Sequence, residues 1–98
     1  MPTYIGLMNY TDRGIRNVKD SPDRLEAVKN LAKDLGGELK QFFLTMGEYD
    51  IVVVYELPDD AAAAKFNMTI GSVGAVRTNT LKAFTEDEYR DIIAALPA

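Results

Sequence analysis

The tetrapeptide Gly47-Glu48-Tyr49-Asp50 carries the densest group of reactive side chains and lies between two apolar segments. A tyrosine and a carboxylate that meet in a pocket can transfer protons in general acid–base catalysis. Adjacent residues of a strand, however, point to opposite faces, so Tyr49 and Asp50 are poorly placed to converge. Gly47 can adopt the positive φ of a short hairpin, and Asp50 can accept bonds from backbone amides. We therefore predict a structural turn at Gly47, Tyr49 and Asp50.

Polar residues in the first and last apolar segments suggest a binding site. Arginine can hold a carboxylate with two parallel hydrogen bonds, while threonine, asparagine and tyrosine supply further polar contacts. If these segments are neighbouring strands, the residues surround a small pocket between sheet and helices or between subunits, suited to a small anionic or aromatic metabolite. The alternative is a polar edge strand at a subunit contact. The predicted ligand-binding residues are Tyr4, Asn9, Tyr10, Arg77, Thr78 and Asn79.

Two further features are candidates for chemistry. Glu56 follows four apolar residues and a tyrosine, and carboxylates are rarely buried without a partner. Glu56 is a candidate general base if it is buried near Tyr4 or Arg77, and otherwise it marks the solvent end of a strand. Arg13 and Arg16 are a candidate anion site near a helix start, with a solvated face paired to Asp12, Asp20 or Asp23 as the alternative.

The residue types that are missing restrict the possible chemistry. The chain has no cysteine and no histidine. This excludes disulfides, thiolate nucleophiles, Cys/His zinc sites and haem bound through His or Cys, and it removes the commonest general base. We therefore expect no metal and no cofactor of the protein's own, and a binding role is favoured over an enzymatic one.

Size and charge restrict the partners. Ninety-eight residues fit one domain spanning 1–98. A formal net charge of −4 argues against a nucleic-acid surface, which requires a dense basic face. No apolar run approaches the ~20 residues that span a bilayer, and the start of the chain lacks a basic signal-peptide region. We expect a cytoplasmic protein without nucleic-acid or membrane partners.

Hydrophobic periodicity predicts four strands and intervening helices. Alternation and β-branched runs predict strands, while apolar residues at three- and four-residue spacing predict helices that start at cap residues. The expected caps are Thr11 or Asp12, Ser21 followed by Pro22, and Thr85 with Glu88 as a capping box. The predicted strands are 3–10, 38–46, 51–57 and 75–84, and the predicted helices begin near 12, 21, 59 and 86.

This order is the ferredoxin-like βαββαβ motif of the α+β class with an added C-terminal helix. It places the first and third strands at the centre of an antiparallel sheet, with the helices on one face. Both central strands are apolar on both faces, so the helix-free face would be an exposed apolar patch. A homodimer with the two sheets packed face to face covers it; the C-terminal helix is the alternative cover.

Three segments together resemble the GYD-domain family: TDRGIRNVKDSPDR (11–24), TMGEYDIVVVYELPDD (45–60) and VRTNTLKAFTEDE (76–88). The resemblance implies a dimeric α+β barrel and little about activity. The hairpin is also similar to that of Lrp/AsnC-type effector domains, which bind small amino-acid-like ligands and form higher oligomers. We expect a homodimeric module, which can form higher oligomers, for small-metabolite binding or assembly. The alternative implied by related barrels is a cofactor-independent monooxygenase or isomerase acting on a small cyclic substrate.

Overall fold

The strands and helices follow one another in the predicted order. The computed structural model describes all 98 residues. Helices separate the strands except between β2 and β3, and a 3₁₀ turn at Val18–Asp20 separates the first two helices. The elements are β1 (Thr3–Tyr10), α1 (Asp12–Arg16), α2 (Ser21–Asp34), β2 (Glu38–Leu44), β3 (Ile51–Glu56), α3 (Asp60–Val73), β4 (Val76–Ala83) and α4 (Glu86–Ala94).

The four strands form one antiparallel sheet in the order β2-β3-β1-β4. This confirms the ferredoxin-like α+β prediction, with β1 and β3 at the centre and β2 and β4 at the edges. Tyr4 lies opposite Tyr55 of β3 and opposite Lys82 of β4. The β2–β3 pairing shifts register between Leu39 and Gln41, so Lys40 has no opposite residue.

The core lies between the sheet and helices α2 and α3. Tyr55 is fully buried at its centre; its ring stacks on that of Tyr4 with the centroids 5.5 Å apart and lies tilted against that of Phe66 with the centroids 4.6 Å apart. Ala62 and Ala63 on α3 are buried as well, because their short side chains let the helix axis approach the sheet. Strand alternation therefore assigns one face of β1 and β3 to this core.

Side chains satisfy most of the exposed helix ends. Thr11 accepts a bond from the Gly14 amide, and Thr85 and Glu88 form the predicted capping box. Gly74 ends α3 at φ +84°, a left-handed conformation that favours glycine. The predicted cap at Ser21 is wrong: Ser21 is already the first residue of α2, and its hydroxyl contacts the Tyr10 hydroxyl instead.

The C-terminal helix does not cover the sheet. Every residue of α4 except Glu88 is exposed, and the helix makes almost no contact with the rest of its own chain. The alternative in which this helix covers the helix-free face is therefore wrong. None of the helices is long and apolar enough to cross a membrane.

Candidate functional site

The segment 45–50 is built as a reversal of the chain. The Thr45 amide donates to the Asp50 carbonyl at 2.8 Å, and the Thr45 hydroxyl donates to the Tyr49 carbonyl at 2.6 Å. Gly47 has φ +130°, and no neighbouring atom would obstruct a side chain there, so the backbone angle alone favours glycine. These contacts support the prediction of a structural turn.

Asp50 fixes the turn to the central strand. Its amide donates to the Met8 carbonyl, and its carboxylate Oδ2 accepts from the Tyr10 amide, both at 2.9 Å. Since β3 begins at Ile51, these bonds continue the β1–β3 ladder beyond its last strand pair. The Asp50 carboxylate therefore serves the backbone rather than a reacting group.

The predicted ligand-binding residues lie on opposite faces of the sheet. The β1–β4 register places Tyr4, Tyr10 and Thr78 on the face toward the helices. Asn9, Arg77 and Asn79 lie on the other face. A single pocket lined by all six residues of one protomer is therefore wrong, because neighbours in a strand alternate between faces.

The residues on the helix-free face form a polar cluster at one end of the sheet. Asn9 and Arg77 are directly opposite each other in β1 and β4. The Asn79 amide donates to the Tyr49 hydroxyl at 3.4 Å, so the Tyr49 side chain spans β1 to reach β4. Arg77 is exposed and forms no ion pair within the chain. We call Asn9, Tyr49, Arg77 and Asn79 the polar end.

Glu56 does not meet the conditions for a general base. It is half-buried on the helix-free face, opposite Thr3 and Glu38. Tyr4 lies on the other face, and Arg77 lies at the far end of the sheet. Glu56 lies at the solvent end of β3, which was the alternative prediction.

Arg13 and Arg16 are exposed on α1, a helix of five residues. Neither arginine forms an ion pair with Asp12, Asp20 or Asp23, so the predicted pairing is absent. No hydrogen bond to another side chain of the protein holds either guanidinium group in position to bind an anion. No group of three or more acidic side chains is arranged to hold a metal ion either.

A cavity of about 260 Å³ lies between the sheet and helices α2 and α3. Tyr10 and Ser21 share a hydrogen bond of 3.2 Å at its wall. Arg24 also lines it, but its guanidinium donates to the Asn17 carbonyl at 3.1 Å and to the Gly14 carbonyl at 3.4 Å. Thirteen of the 16 lining residues are hydrophobic, among them Met8, Val28, Leu31, Val53, Ile70 and Val76.

Sequence reasoning missed this cavity, and of the predicted residues only Tyr10 lines it. The apolar periodicity of the lining residues indicates which side chains face inward and predicts a filled core. The volume that remains depends on the separation between α2 and α3, which no local pattern specifies.

A second polar group joins three elements at the opposite end of the sheet. The Tyr4 hydroxyl donates to Asp60 Oδ1 at 2.6 Å, and Lys82 forms an ion pair with the same oxygen at 3.0 Å. Burial raises the pKa of Tyr4 to about 12, and the neighbouring Asp60 carboxylate adds to that effect. The bonds from Tyr4 and Lys82 lower the pKa of Asp60. Tyr4 therefore stays protonated and acts as a hydrogen-bond donor in the fold.

The helix-free face between these two ends is apolar along the two central strands, with the polar Gln41 and Asn79 on its edge strands. We call it the open face, because no element of the chain packs against it. Phe43 and Leu81, on the two edge strands, are 50% and 46% exposed. The register assigns to this face the side chains of Ile5, Leu7, Phe43, Val52, Val54 and Leu81.

Comparison with known proteins agrees with this fold. The model of the GYD domain matches residues 4–93, which is nearly the whole chain. The chain belongs to the GYD-domain family. The resemblance of the three segments to that family is thereby confirmed.

This GYD-domain protein has a relative in Thermus thermophilus. It is 35% identical over 97 residues, 98% of this chain and 99% of the relative, to a protein of that organism named "Glutamine synthetase and cystathionine beta-lyase binding protein". It is also similar to the crystal structure of TTHA0845 from Thermus thermophilus, with a TM-score of 0.56, 24% identity and coverage of 87% of this chain and 95% of that one. The structural likeness supports the ferredoxin-like fold.

Proposed function

We propose that this GYD-domain protein is a homodimeric binding protein that docks on enzymes and catalyses no reaction itself. Its two sheets pack face to face through their open faces, as in a dimeric α+β barrel. Its partners are glutamine synthetase, cystathionine beta-lyase or both, by analogy with the relative named above.

The observation that carries this proposal is the apolar open face. Soluble monomers rarely expose contiguous apolar patches beyond a few hundred Å². A second copy packed on this face would bury on the order of 1,600 Å² in total, the area of a standard specific interface. Two copies related by a two-fold axis present the same face to each other, so a single contact covers the apolar side chains of both.

The arrangement of the titratable groups supports binding over catalysis. No carboxylate lines the cavity, and Asp50 and Asp60 are both engaged by groups of the fold. Arg77 is the cation of the polar end and has no partner in its own chain. An unpaired, exposed arginine beside two amides is suited to a protein contact, where arginine is enriched.

Surface plasmon resonance tests the enzyme contact. The protein is immobilised, and purified glutamine synthetase and cystathionine beta-lyase from the same organism are passed over it. We expect saturable binding of at least one enzyme and a loss of about tenfold in affinity for Arg77→Ala, the effect of a hot-spot side chain. Lys65→Ala removes one exposed positive charge from α3 and is the matched control. Absence of binding to both enzymes would refute the assigned partners, whatever the oligomeric state.

The cavity supports a second candidate function, the binding of a small aromatic molecule. A dry apolar cavity of ~150 Å³ is enough to hold benzene, so this one has room for a larger ring. Its single cation is already bonded to two carbonyl oxygens, which favours an uncharged ligand over an anionic one. An isomerase or monooxygenase acting there would have only Tyr10 and Arg24 as titratable groups.

Titration with indole and with benzoate distinguishes these ligands. Two-dimensional NMR spectra of the protein are recorded as each compound is added. We expect indole to shift the amides of α2 and α3 that line the cavity, and benzoate to have little effect. Val28→Phe, which fills the cavity, abolishes the shifts, while Met68→Phe on the exposed side of α3 retains them. Unchanged spectra with both compounds would contradict a ligand site for small aromatic molecules.

A further inference from the structure

A groove on the surface of the protein adjoins the apolar cavity. The groove, of about 520 Å³, lies between α1, the 3₁₀ turn, the start of α2 and the end of β2. Apolar side chains in its wall are exposed: Ile15 by 52%, Val18 by 39% and Leu44 by 71%. We call this surface, lined by these three residues and by Pro22, the α1–α2 groove.

The groove and the cavity share part of their walls. Tyr10, Ser21, Leu25 and Phe42 line both spaces, so these four residues mark the place where one space leads into the other. The cavity alone, at about 260 Å³, is larger than the ~150 Å³ that holds benzene. A single elongated molecule can therefore place a ring in the cavity and extend into the groove.

Two hydroxyl groups lie at this junction. Tyr10 and Ser21 share one hydrogen bond of 3.2 Å, in which either can be the donor. Each hydroxyl carries one hydrogen, so the shared bond uses one hydrogen and leaves the other without an acceptor in the chain. An oxygen atom of a ligand, such as a carbonyl oxygen, can accept that hydrogen. The junction therefore favours a ligand that carries an acceptor between two apolar parts.

The charged groups around both spaces favour an uncharged ligand. Arg24, the cation of the cavity, already donates to the Asn17 and Gly14 carbonyls. Asp50 is the one charged residue in the wall of the groove, and its Oδ2 already accepts from the Tyr10 amide. A carboxylate on the ligand would face Asp50 and no unbonded cation. Any charged group would also leave water for apolar walls, at a high cost.

We propose that the cavity and the α1–α2 groove together bind an uncharged aromatic molecule that carries a carbonyl and an alkyl chain. The inference rests on the second candidate function, ligand binding in the cavity, and adds the groove and the hydroxyl pair to it. The ring lies in the cavity, the carbonyl oxygen accepts from the Tyr10–Ser21 pair, and the chain lies along the groove. Tyr10 and Ser21 thus determine specificity, because they distinguish a ketone from a hydrocarbon of the same shape.

A series of phenyl ketones tests the contribution of the groove. Acetophenone, butyrophenone and hexanophenone share the ring and the carbonyl, and their alkyl chains increase in length. NMR titration of the full-length protein measures each dissociation constant. We expect the affinity to rise about two- to fourfold per added methylene, since each methylene leaves water for an apolar surface. Nuclear Overhauser effects should connect the ring to Val28 in the cavity and the end of the chain to Ile15 or Val18 in the groove.

Indole, titrated alongside, separates this inference from the cavity site on which it rests. If indole binds in the cavity but the ketones gain no affinity along the series, the inference is wrong and the cavity site stands. Contacts between the alkyl chain and Leu81 on the open face would also overturn the inference. If neither indole nor acetophenone binds, the candidate function fails together with the inference.

Removal of both hydroxyls tests the recognition of the carbonyl. Hexylbenzene replaces the carbonyl of hexanophenone by a methylene. We expect the preference for hexanophenone, expressed as the ratio of the two dissociation constants, to fall about fivefold in Tyr10→Phe/Ser21→Ala, the effect of one neutral hydrogen bond. Thr69→Val is the matched control, because Thr69 lines the cavity but its hydroxyl already donates to the Lys65 carbonyl. An unchanged ratio in the double variant, or an equal fall in the control, would overturn the proposal.

Discussion

The Tyr4 hydroxyl of β1 and the Asp60 carboxylate at the start of α3 share a hydrogen bond of 2.6 Å. Lys82 of β4 completes the group through its ion pair with Asp60. A central strand, an edge strand and a helix are thus fixed together at one end of the sheet. At the other end, Asp50 joins the turn to β1 through the Tyr10 amide. Each end of β1 is held by one carboxylate.

We expect the stability of the protein to fall as the pH rises from 10 to about 12, where the folded pKa of Tyr4 lies. Below pH 10 the phenol is protonated in both states, so its contribution is fully present. Between those values the unfolded chain loses the proton that the folded chain retains, which favours unfolding. Urea unfolding at pH 9 and pH 11 should show a smaller loss for Tyr4→Phe than for the original chain. The exposed Tyr89→Phe is the control; equal losses in all three proteins would contradict this assignment.

Replacing two helical glycines by alanine should change stability in opposite directions. A Cβ on Gly14 would lie far inside contact distance of the Ala75 carbonyl oxygen, so Gly14→Ala should destabilise by about 1–3 kcal/mol. A Cβ on Gly71 meets nothing within 4 Å, and Gly71→Ala should stabilise α3 by about 0.5–1 kcal/mol. Urea unfolding measures both. A neutral Gly14→Ala would mean that α1 and Ala75 are not packed closely.

The sheet followed from local patterns in the sequence. In β1, Ile5 and Leu7 share one face and Tyr4 and Met8 share the other, as the alternation of side chains along a strand requires. The alternation of side chains in a strand and the caps of a helix depend on residues close together in the chain, so they can be recognised from the sequence alone. The order β2-β3-β1-β4 then followed from the βαββαβ succession.

The grouping of side chains from separate elements was harder to predict. Asn9 and Tyr10 were assigned to one pocket, although alternation sends them to different faces. The Asp60–Lys82 ion pair depends on where the start of α3 lies relative to β4, which no local sequence pattern predicts. The amphipathic stripe of α4 was visible in the sequence, but its lack of contact with its own chain was not.

Removing the Asp50 carboxylate should loosen the turn without affecting the open face. Asp50→Ala leaves the Tyr10 amide without its acceptor, at a cost of about 1–3 kcal/mol for an unsatisfied, partly buried donor. Chemical denaturation measures the loss. Glu48→Ala is the matched control, because that exposed carboxylate forms no ion pair. Equal stability of the two variants would contradict a structural role for Asp50.

The proposed homodimer, in which two open faces associate, predicts a sharp response to one buried charge. Leu81 is 46% exposed at the edge of that face, so Leu81→Asp costs little in the separate protomer. In the dimer the same carboxylate is enclosed by apolar side chains, and we expect the dissociation constant to rise by about a hundredfold or more. Sedimentation equilibrium measures it, and Met68→Asp on the far side of α3 is the matched control. If Leu81→Asp and the original chain associate equally well, the open face is not the dimer interface.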